Sequence, residues 1–522
     1  MVTRKTTKKS SKKRAARKVA KKATKKVAKK AAKKVAKKAT KKSARKTVAP
    51  SKRAGKKATG KASKRRTGIA RRAAGDKFRV KIRMYRQGLG DCFLITVPRK
   101  GDDPYFILID CGVILGTTEP KAIMTRVVED IINTTGGRLH LLAATHEHWD
   151  HISGFIQARE LWEGKTEEGN KHLEVDEVWL AWAENSSGDA LAKKLRSDRH
   201  GMHLALTGAA THLRMGGDTG TADEVTSMLE FFGAAGGGRT TADALEIIKG
   251  LSQNLRFCRP DDAPITPDGT SLKIYTLGPP RDEKFLKRYK PSAKQSETYG
   301  HGMAELFLDE IQPALLDPSS GAPFDKSFQI PMLAAEQMPF FRTHYWGEDA
   351  DSDEKNQGWR RIAGSWLDSS SALALQLDSA TNNTSLVLAF ELDDGDVLLF
   401  ASDAQVGNWL SWQDLTWDVD GTTVTGPDLL HRTVFYKVGH HGSHNATLKE
   451  LGLEQMKGLE LAFMPVVHEM AVKKRWGKIP LTELLDRLNE VTKGCVVRID
   501  EKLPPQVKGF VTDNELFYEV IL

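Results

Sequence analysis

Short apolar runs that stop at glycine-rich or polar segments define the predicted elements in the first part of the folded region. Residues 78–97 read as two strands around the turn Gln87–Asp91, and Tyr105–Gly112 reads as a buried strand that ends in Asp-x-Gly. Apolar positions at helical spacing predict a helix over Lys121–Ile132. The largely apolar run Leu139–Ala144 predicts another strand, which leads directly into a histidine-rich segment.

Similar strand patterns recur further along the chain. Val175–Trp182 reads as a strand, Asn382–Leu388 opens another, and Asp396–Asp403 reads as a strand that ends in an acid. Phe435–Gly439 reads as a strand that is followed by a turn with two histidines, His440 and the next residue. Acidic and histidine side chains are therefore expected at the ends of several strands.

The charge of the 522-residue chain divides at residue 76. Of its 80 Lys and Arg residues, 33 lie in residues 1–75, which contain no Asp or Glu, although the formal net charge of the whole chain is only +14. Residues 76–522 therefore hold 47 basic and 66 acidic residues, a net charge of −19. This division excludes a uniformly basic nucleic-acid-binding domain. Residues 76–522 could form one large α/β domain with insertions or two domains.

The basic tail, residues 1–75, contains a four-residue repeat of two bases and two small residues from Arg17 to Lys46. Because it has almost nothing apolar to bury and repels itself, we expect it to be disordered in isolation. The repeat resembles the Lys/Ala-rich tails of linker-histone-like and bacterial nucleoid proteins. Such a tail would bind nucleic acid, DNA above all, through phosphate contacts and counterion release; the alternative is a tail for solubility or localisation only. The residues expected to contact phosphates are Lys21, Lys22, Lys25, Lys26, Lys29, Lys30, Lys33, Lys34, Lys37 and Lys38.

Two further features bear on where the protein works. No stretch approaches the roughly 18–20 consecutive apolar residues of a membrane span, and the N-terminus lacks the apolar core of a secretory signal peptide. The cysteines, at positions 92, 111, 258 and 495, show no C-x-x-C spacing and read as reduced thiols. We therefore expect a cytoplasmic protein without membrane contact that associates with the nucleoid through its tail.

The segment His146–His151, called the metal loop below, has the sequence His-Glu-His-Trp-Asp-His and follows a predicted strand. Imidazole and carboxylate groups at this spacing are ligands for transition metals. His146 and His148 could hold one ion. Asp150 and His151 could hold a second ion about 3.5–4 Å away, as in two-metal hydrolases.

This H-x-H-x-D-H loop at a strand end resembles the metal loop of the metallo-β-lactamase superfamily. Three further segments, Gly90–Ile95, Asn382–Leu388 and Lys437–Ser443, are most similar to the hydrolase domain of ComEC-type DNA-uptake proteins and its soluble relatives. The resemblance implies an α/β fold of the αβ/βα sandwich type, with two packed mixed sheets flanked by helices. ComEC-type proteins carry membrane channels, and because this chain has none, the resemblance does not imply transport.

The resemblance covers the landmarks of roughly residues 78–470 and implies a single hydrolase domain over residues 76–522. The 252 residues between His151 and Asp403 exceed what a compact core of this superfamily needs. We interpret the excess as two insertions, at about residues 190–265 and 281–370.

The resemblance also implies roles for individual residues. Asp403 would bridge the two ions, and one of His440 and His441 would be the last ligand, while the other would contact substrate or a leaving oxygen. Asp110 would orient the metal loop through hydrogen bonds. The middle ligand of the superfamily, a histidine after the next strand, has no obvious counterpart here.

Several other polar residues have alternative interpretations. Glu184 could supply the missing ligand as an oxygen, or it could cap the following helix. His444 could support the site or lie on the surface, and Lys437 reads as a strand residue that points to solvent. Three histidines of the first insertion are expected not to be ligands: His200, His203 and His212.

These residues predict a metal-dependent hydrolase. Two divalent ions, zinc or alternatively manganese, would activate water as hydroxide, with Asp150 orienting the water and Asp403 and His441 also taking part in catalysis. The metal loop does not distinguish phosphodiesters from esters, lactones or thioesters. The basic tail favours a nuclease or phosphodiesterase acting on DNA, or more loosely on RNA, because it would concentrate nucleic acid near the site. The alternatives are a small-molecule ester or lactone hydrolase tethered to the nucleoid and a non-catalytic, nucleic-acid-associated metal-binding protein.

Overall fold

The described part of the chain forms an α/β fold with two mixed sheets flanked by helices. The structure is a computed structural model, and it describes residues 79–101, 103–164, 172–215, 219–233, 239–289, 298, 330, 332–346, 370–474, 476 and 479–522. The basic tail and most of the range 281–370, which the sequence predicts to be an insertion, lie outside the described residues.

The strands of the described ranges are short and mostly buried. They are β1 (Lys81–Tyr85), β2 (Cys92–Val97), β3 (Tyr105–Cys111), β4 (Arg138–Ala144), β5 (Glu174–Ala181), β6 (Leu255–Cys258), β7 (Lys273–Gly278), β8 (Val387–Glu391), β9 (Val397–Phe400), β10 (Thr416–Val419), β11 (Thr422–Thr425), β12 (Thr433–Lys437), β13 (Leu461–Met464), β14 (Val496–Arg498), β15 (Val511–Asp513) and β16 (Phe517–Ile521).

Fourteen of these strands form two mixed sheets. The first sheet has the order β15-β16-β1-β2-β3-β4-β5-β6, in which β3 to β6 run parallel and the other neighbours antiparallel. The second has the order β14-β13-β12-β9-β8-β7, in which β14 to β9 run parallel and the last two pairs antiparallel. Strands β10 and β11 pair as a separate hairpin. Strand β6, within the range predicted as the first insertion, is an edge strand of the first sheet.

Helices cover the sheets and fill the connections between strands. They are α1 (Pro120–Thr135), α2 (Trp149–Ile152), α3 (Gly154–Gln157), α4 (Arg159–Glu163), α5 (Ala190–Met215), α6 (Thr219–Leu229), α7 (Thr241–Gly250), α8 (Glu283–Leu286), α9 (Met332–Gln337), α10 (Pro339–Phe341), α11 (Ser370–Asn382), α12 (Val406–Ser411), α13 (Gly426–His431), α14 (His468–Lys473) and α15 (Thr482–Val491). None of the helices in the described ranges has both the length and the apolar character needed to cross a membrane.

The apolar side chains form three layers. In the central layer, residues of the first sheet such as Leu141 pack against residues of the second sheet such as Phe435. The next residues along the same two strands, Leu142 and Tyr436, point the other way, into the two outer layers. This period-two alternation places both sheets between apolar layers. Helices α1 and α7 complete the outer layer of the first sheet, and α12, α13 and α15 complete that of the second.

A separate helical cluster forms from α5, α6 and α11. Its buried side chains include Leu206 of α5, Val225 of α6 and Leu377 of α11. Helices α5 and α6 lie in the predicted first insertion, so at least part of that insertion is a helical subdomain with its own small core.

The segment Asn382–Leu388 differs from its predicted structure. Asn382 is the last residue of α11, and strand β8 begins only at Val387. Two buried polar residues between them, Asn383 and Thr384, bind neighbouring backbone groups through their side chains. Asn383, for example, donates from Nδ2 to the carbonyl oxygens of Phe285 and Leu286 at 2.8 and 2.9 Å. These bonds connect the end of α11 to α8.

Candidate metal centre

Four strand ends carry the polar side chains of the candidate site. In the first sheet, Asp110 lies near the end of β3, and His146 follows β4, which runs parallel to it. In the second sheet, Asp403 follows β9 and His440 follows the parallel strand β12. Because the C-terminal ends of parallel neighbouring strands lie at the same edge of a sheet, the polar residues of each sheet lie close to one another. The two sets meet where His151 Nε2 lies 3.2 Å from Asp403 Oδ2.

The backbone is unusual at the same strand ends. Asp110, Ser402, His440 and His441 have φ angles of 56°, 48°, 44° and 52°, in the left-handed region that non-glycine residues rarely adopt. Such conformations cost roughly 1–3 kcal/mol each and cluster at functional sites. One consequence is visible at the turn after β12, where the backbone N–H of His440 donates to Asp403 Oδ1 at 3.2 Å.

The glycine-rich turn Gln87–Asp91 and Gly112 pack directly against the metal loop. The N–H of Asp91 donates to the carbonyl oxygen of Asp150 at 3.0 Å, and the N–H of Gly112 donates to the carbonyl oxygen of Asp91 at 3.0 Å. A Cβ atom at position 112 would lie only 2.4 Å from the backbone of Asp150. The close approach of the two backbones therefore requires glycine at this position.

Asp150, His151, Asp403 and His441 form a buried cluster of possible ligands. One ligand atom from each residue lies within 4.8 Å of those of the other three. Nε2 of His441 is 3.0 Å from Asp150 Oδ2, and Nε2 of His151 is 3.9 Å from the same oxygen. Two carboxylates and two imidazoles suit Zn²⁺ or Mn²⁺. The four residues therefore fit a divalent ion; three of them were predicted as ligands, and His441 was one of two alternatives for the last ligand.

Hydrogen bonds on the far side of two rings leave their Nε2 atoms available to an ion. His151 Nδ1 donates to Asp110 Oδ2 at 2.8 Å, and His441 Nδ1 donates to the carbonyl oxygen of Pro465 at 2.8 Å. In a neutral imidazole, Nε2 then carries the lone pair. Asp110 also accepts from the N–H and hydroxyl of Thr145, at 2.8 and 2.7 Å. Such partners orient metal-binding histidines in many proteins.

His146 and His148 lie beside this cluster. Nε2 of His146 is 3.1 Å from Nδ1 of His148 and 4.0 Å from Asp403 Oδ2. On its far side, Nδ1 of His146 lies 3.1 Å from the hydroxyl oxygen of Thr145. The two facing nitrogens could be ligands of a second ion, but with Asp403 they do not form a group of three possible ligand atoms within 4.8 Å of one another in the described ranges. Asp403 Oδ2 faces both His146 and His151, so it lies between the two candidate positions.

Both histidines of the turn after β12 reach the site. His441 belongs to the cluster described above. Nε2 of His440 lies 3.9 Å from Asp403 Oδ2, and its Nδ1 lies 2.9 Å from Ser443 Oγ. Because Ser443 donates its own proton to Asn445 Oδ1 at 3.0 Å, it accepts from His440 and leaves the lone pair on Nε2. His440 could therefore also act as a ligand.

Lys437 does not point to solvent, and this prediction was wrong. Its side chain is 1% exposed, forms an ion pair with Asp91, and brings Nζ to 3.6 Å from Asp403 Oδ1. The solvent-facing interpretation assumed a strand with one solvent-exposed face, whereas all five residues of β12 are buried. Asp403 is consequently held by the protein on Oδ1, while Oδ2 faces the histidines.

The burial of the site strongly shifts its pKa values. Burial lowers the pKa of His148 to about 3 and the pKa of His440 to about 4. Burial also opposes the charged form of His151, but the carboxylates around it, Asp403 first, raise its pKa well above the usual value. For Asp403, the effect of burial is outweighed by His151 and other cations, which lower its pKa well below the usual range. His148 and His440 are therefore neutral at pH 7, the form that binds metal.

Glu184 takes part in a buried ion-pair cluster. Its Oε1 lies 3.2 Å from the guanidinium of Arg199, whose Nε lies 3.1 Å from Glu147 Oε1 in the metal loop. Arg199 also donates to the hydroxyl of Thr384 at 3.0 Å. Because Arg199 belongs to α5, this cluster connects the helical insertion to the metal loop. The nearest charged partner of Glu184 in the described ranges is thus Arg199.

We expect Glu184→Gln to leave Zn²⁺ affinity unchanged, because Glu184 faces Arg199 instead of the imidazoles. The variant should lose about 1–3 kcal/mol of stability, since a buried charge-assisted hydrogen bond becomes a neutral one. Zn²⁺ affinity can be measured by competition with a chromophoric chelator, with Asp150→Asn as the comparison. An affinity loss as large as that of Asp150→Asn would instead identify Glu184 as the middle ligand.

The four other histidines considered in the sequence analysis do not belong to the ligand cluster. His444 is exposed, as are His200 and His212, and His203 is partly buried against Phe232 at a ring distance of 5.5 Å. None of these four belongs to a group of possible ligands in the described ranges.

Aromatic rings of Phe231 and Phe232, which follow α6, and of Trp476, which follows α14, cover one side of the site. The rings of Phe231 and Phe232 each lie 5.0 Å from the ring of His148, and Trp476 stacks on Phe231 at 4.7 Å. This wall shields His148 from water and contributes to the low pKa of its imidazole.

Three buried residues were not recognised from the sequence as part of the site. Asp91 ends a recognisable Gly-Leu-Gly turn, so its position could have been noticed. Arg199 lies in an insertion helix, where no motif marks it. Asp378 of α11 brings Oδ1 to 3.9 Å from Nε2 of His148. Burial, and then the charges of Asp403 and Asp150, raise the pKa of Asp378 well above its usual value, so a nearby cation would favour its ionised form.

Comparisons with protein-family models, with curated proteins and with solved structures find no match to this chain. The chemistry of the site is therefore argued from the geometry of its own residues.

Proposed function

We propose that this chain is a metal-dependent hydrolase of the metallo-β-lactamase type, and that it cleaves phosphodiester bonds of nucleic acid, DNA above all. The observation that carries the proposal is the buried cluster of Asp150, His151, Asp403 and His441, whose ligand atoms lie within 4.8 Å of one another. The position of these residues at the C-terminal ends of strands, between two packed mixed sheets, supports the superfamily assignment.

The protein's own residues prepare the site for water and phosphate. Divalent ions bound here would lower the pKa of water and stabilise the negative charge that develops on a phosphate. Asp403 presents Oδ2 to the histidines, while Lys437 and the backbone N–H of His440 hold Oδ1. Oδ1 of Asp150 is buried and has no hydrogen-bond partner in the described part of the chain, so it is available to orient a water molecule.

The choice of nucleic acid as substrate rests on the basic tail. Without residues 1–75 the net charge is −19, which would repel a polyanion, whereas the tail carries 33 positive charges. A covalently attached polycation raises the local concentration of nucleic acid around the site without contributing to the chemistry. The metal centre alone is equally compatible with an ester or lactone substrate.

The site is tested with the full-length chain on single- and double-stranded DNA in the presence of Mn²⁺ or Zn²⁺, together with a measurement of bound metal. We expect cleavage by the wild-type chain, and loss of both cleavage and bound metal in the double variant His148→Ala, Asp150→Ala. The control is His212→Ala, which changes an exposed histidine outside the cluster. Cleavage that survives in the double variant would show that another site is responsible.

The contribution of the tail is tested by deleting residues 1–75. If about a third of its charges engage phosphates, log K for DNA should fall with log salt at a slope of about −10, and the deletion should abolish this dependence. Hydrolysis of bis(p-nitrophenyl) phosphate should stay unchanged, because the deletion leaves the metal centre intact. DNA cleavage that is unaffected at physiological salt would remove the tail from substrate delivery. Ester hydrolysis without phosphodiester hydrolysis would favour a tethered small-molecule hydrolase.

A further inference from the structure

Five histidines surround the candidate centre, and four of them have the same ring orientation. Four rings place Nδ1 against a protein acceptor and turn Nε2 towards the site. His148 is reversed, because its Nδ1 faces Nε2 of His146 at 3.1 Å. The four acceptors, at distances of 2.8 to 3.1 Å, are the Asp110 carboxylate for His151, the Pro465 carbonyl for His441, the Thr145 hydroxyl for His146 and the Ser443 hydroxyl for His440.

The outward nitrogen of His148 faces Asp378. Nε2 of His148 and Oδ1 of Asp378 are both buried and have no hydrogen-bond partner among the described residues, and they lie 3.9 Å apart. The other oxygen of Asp378 accepts from Asn382 Nδ2 at 3.2 Å, which orients the carboxylate. A buried polar atom without a partner costs about 1–3 kcal/mol. An approach of about 1 Å would bring the pair to hydrogen-bonding distance and satisfy both atoms.

We propose that Asp378 is the outer carboxylate partner of His148, accepting its Nε2–H and so keeping the lone pair on Nδ1, the atom that faces the candidate ion. Asp378 would then be a positioning residue that acts through His148. The inference rests on the proposed function to the extent that it assumes a divalent ion bound between His146 and His148.

The geometry favours this role over direct metal ligation by Asp378. The carboxylate lies at the opposite edge of the His148 ring from the nitrogen that faces His146. Because Asp378 lies on α11, the helical cluster would contribute to metal binding as well as covering the site.

The proposal is tested by a double-mutant cycle between positions 148 and 378 in the full-length chain, with Zn²⁺ or Co²⁺ as the only added probe. Metal affinity is measured by competition with a chromophoric chelator, and the Co²⁺ absorption spectrum reports on the ligand set. We expect Asp378→Ala to weaken affinity at this position about 10–100-fold. Asp378→Asn should lie in between, because its amide oxygen accepts a hydrogen bond without the charge. Adding Asp378→Ala to His148→Ala should cause no further loss.

Thr381→Val is the matched control, because Thr381 is buried on the same helix and its hydroxyl bonds only to the carbonyl of Leu377 in the described ranges. It should lower metal-free stability without changing affinity. Wild-type metal affinity in both Asp378 variants would overturn the proposal. So would a double variant, His148→Ala with Asp378→Ala, whose loss of affinity equals the sum of the two single losses, because this would indicate that Asp378 is a direct ligand. A wild-type chain that binds no metal would overturn both this inference and the proposed function. Metal binding with the expected coupling, but without hydrolysis, would support this inference and refute the proposed function alone.

Discussion

Lys437→Met should destabilise the protein by about 3–5 kcal/mol, because it removes one partner of a buried ion pair and leaves the other charge uncompensated. The Lys437 ammonium pairs with Asp91 and lies 3.6 Å from Asp403, and all three side chains are almost completely buried. Burial opposes the charged form of Lys437, but Asp91 and Asp403 outweigh it and raise its pKa above the usual value. Denaturant unfolding of the metal-free protein measures the loss directly.

Two controls separate charge from packing in this experiment. Lys473→Met makes the same substitution at a side chain that is 70% exposed, and it should change stability by no more than about 0.5 kcal/mol. The double variant Asp91→Asn, Lys437→Met removes both charges and should recover much of the lost stability. Lys437→Met alone leaves the Asp91 carboxylate buried without its cationic partner, whereas the double variant has no charge at either position. A double variant that is less stable than Lys437→Met would contradict the ion-pair explanation.

Gly112→Ala should reduce stability by at least the roughly 1–3 kcal/mol of an overpacked core and should also weaken Zn²⁺ binding. The added Cβ would lie 2.4 Å from the backbone of Asp150, and neither backbone can move freely, because Gly112 is hydrogen-bonded to Asp91, which is in turn hydrogen-bonded to Asp150. Displacement of Asp150 would separate its carboxylate from His441, now 3.0 Å away. Unfolding curves and chelator competition on the same samples measure the two effects.

Gly208→Ala provides the contrasting control for this substitution. Gly208 lies in the exposed part of α5, and a Cβ there would meet no atom within 4 Å. Alanine should therefore stabilise the helix by roughly 0.5–1 kcal/mol and leave metal affinity unchanged. If Gly112→Ala retained wild-type stability and affinity, the close packing of the glycine-rich turn on the metal loop would not be needed to position Asp150.

The helical cluster of α5, α6 and α11 connects to the metal loop at two points. Arg199 of α5 lies 3.1 Å from Glu147 inside the loop, and Asp378 of α11 faces His148. Both contacts come from parts of the chain that have no recognisable motif. The helical cluster is therefore part of the candidate site's surroundings, because polar side chains of two of its helices are buried against the loop that carries the candidate ligands.

The sequence by itself determined those features that depend on local spacing. Strands β1 to β4, helix α1 and the histidine-rich loop follow from apolar periodicity and from residues within six positions of each other. The residues of the candidate cluster could also be named from the sequence: the spacing within the loop indicated Asp150 and His151, and the resemblance to the metallo-β-lactamase superfamily implied Asp403 and one of His440 and His441. The charge division at residue 76 is a property of composition alone.

Only the tertiary structure decided which side chains meet between the sheets. Lys437 was misinterpreted because strand alternation does not reveal whether a second apolar layer covers the other face. Asp378 and Arg199 could not be recognised because they reach the metal loop through long-range packing of a helical cluster, at separations of 230 and 52 residues from His148 and Glu147. Burial depends on how all the layers pack together, so the sequence does not reveal it. It is burial that shifts the pKa values of the site. Burial also makes an unpaired polar atom costly, so such an atom indicates a missing partner or ligand.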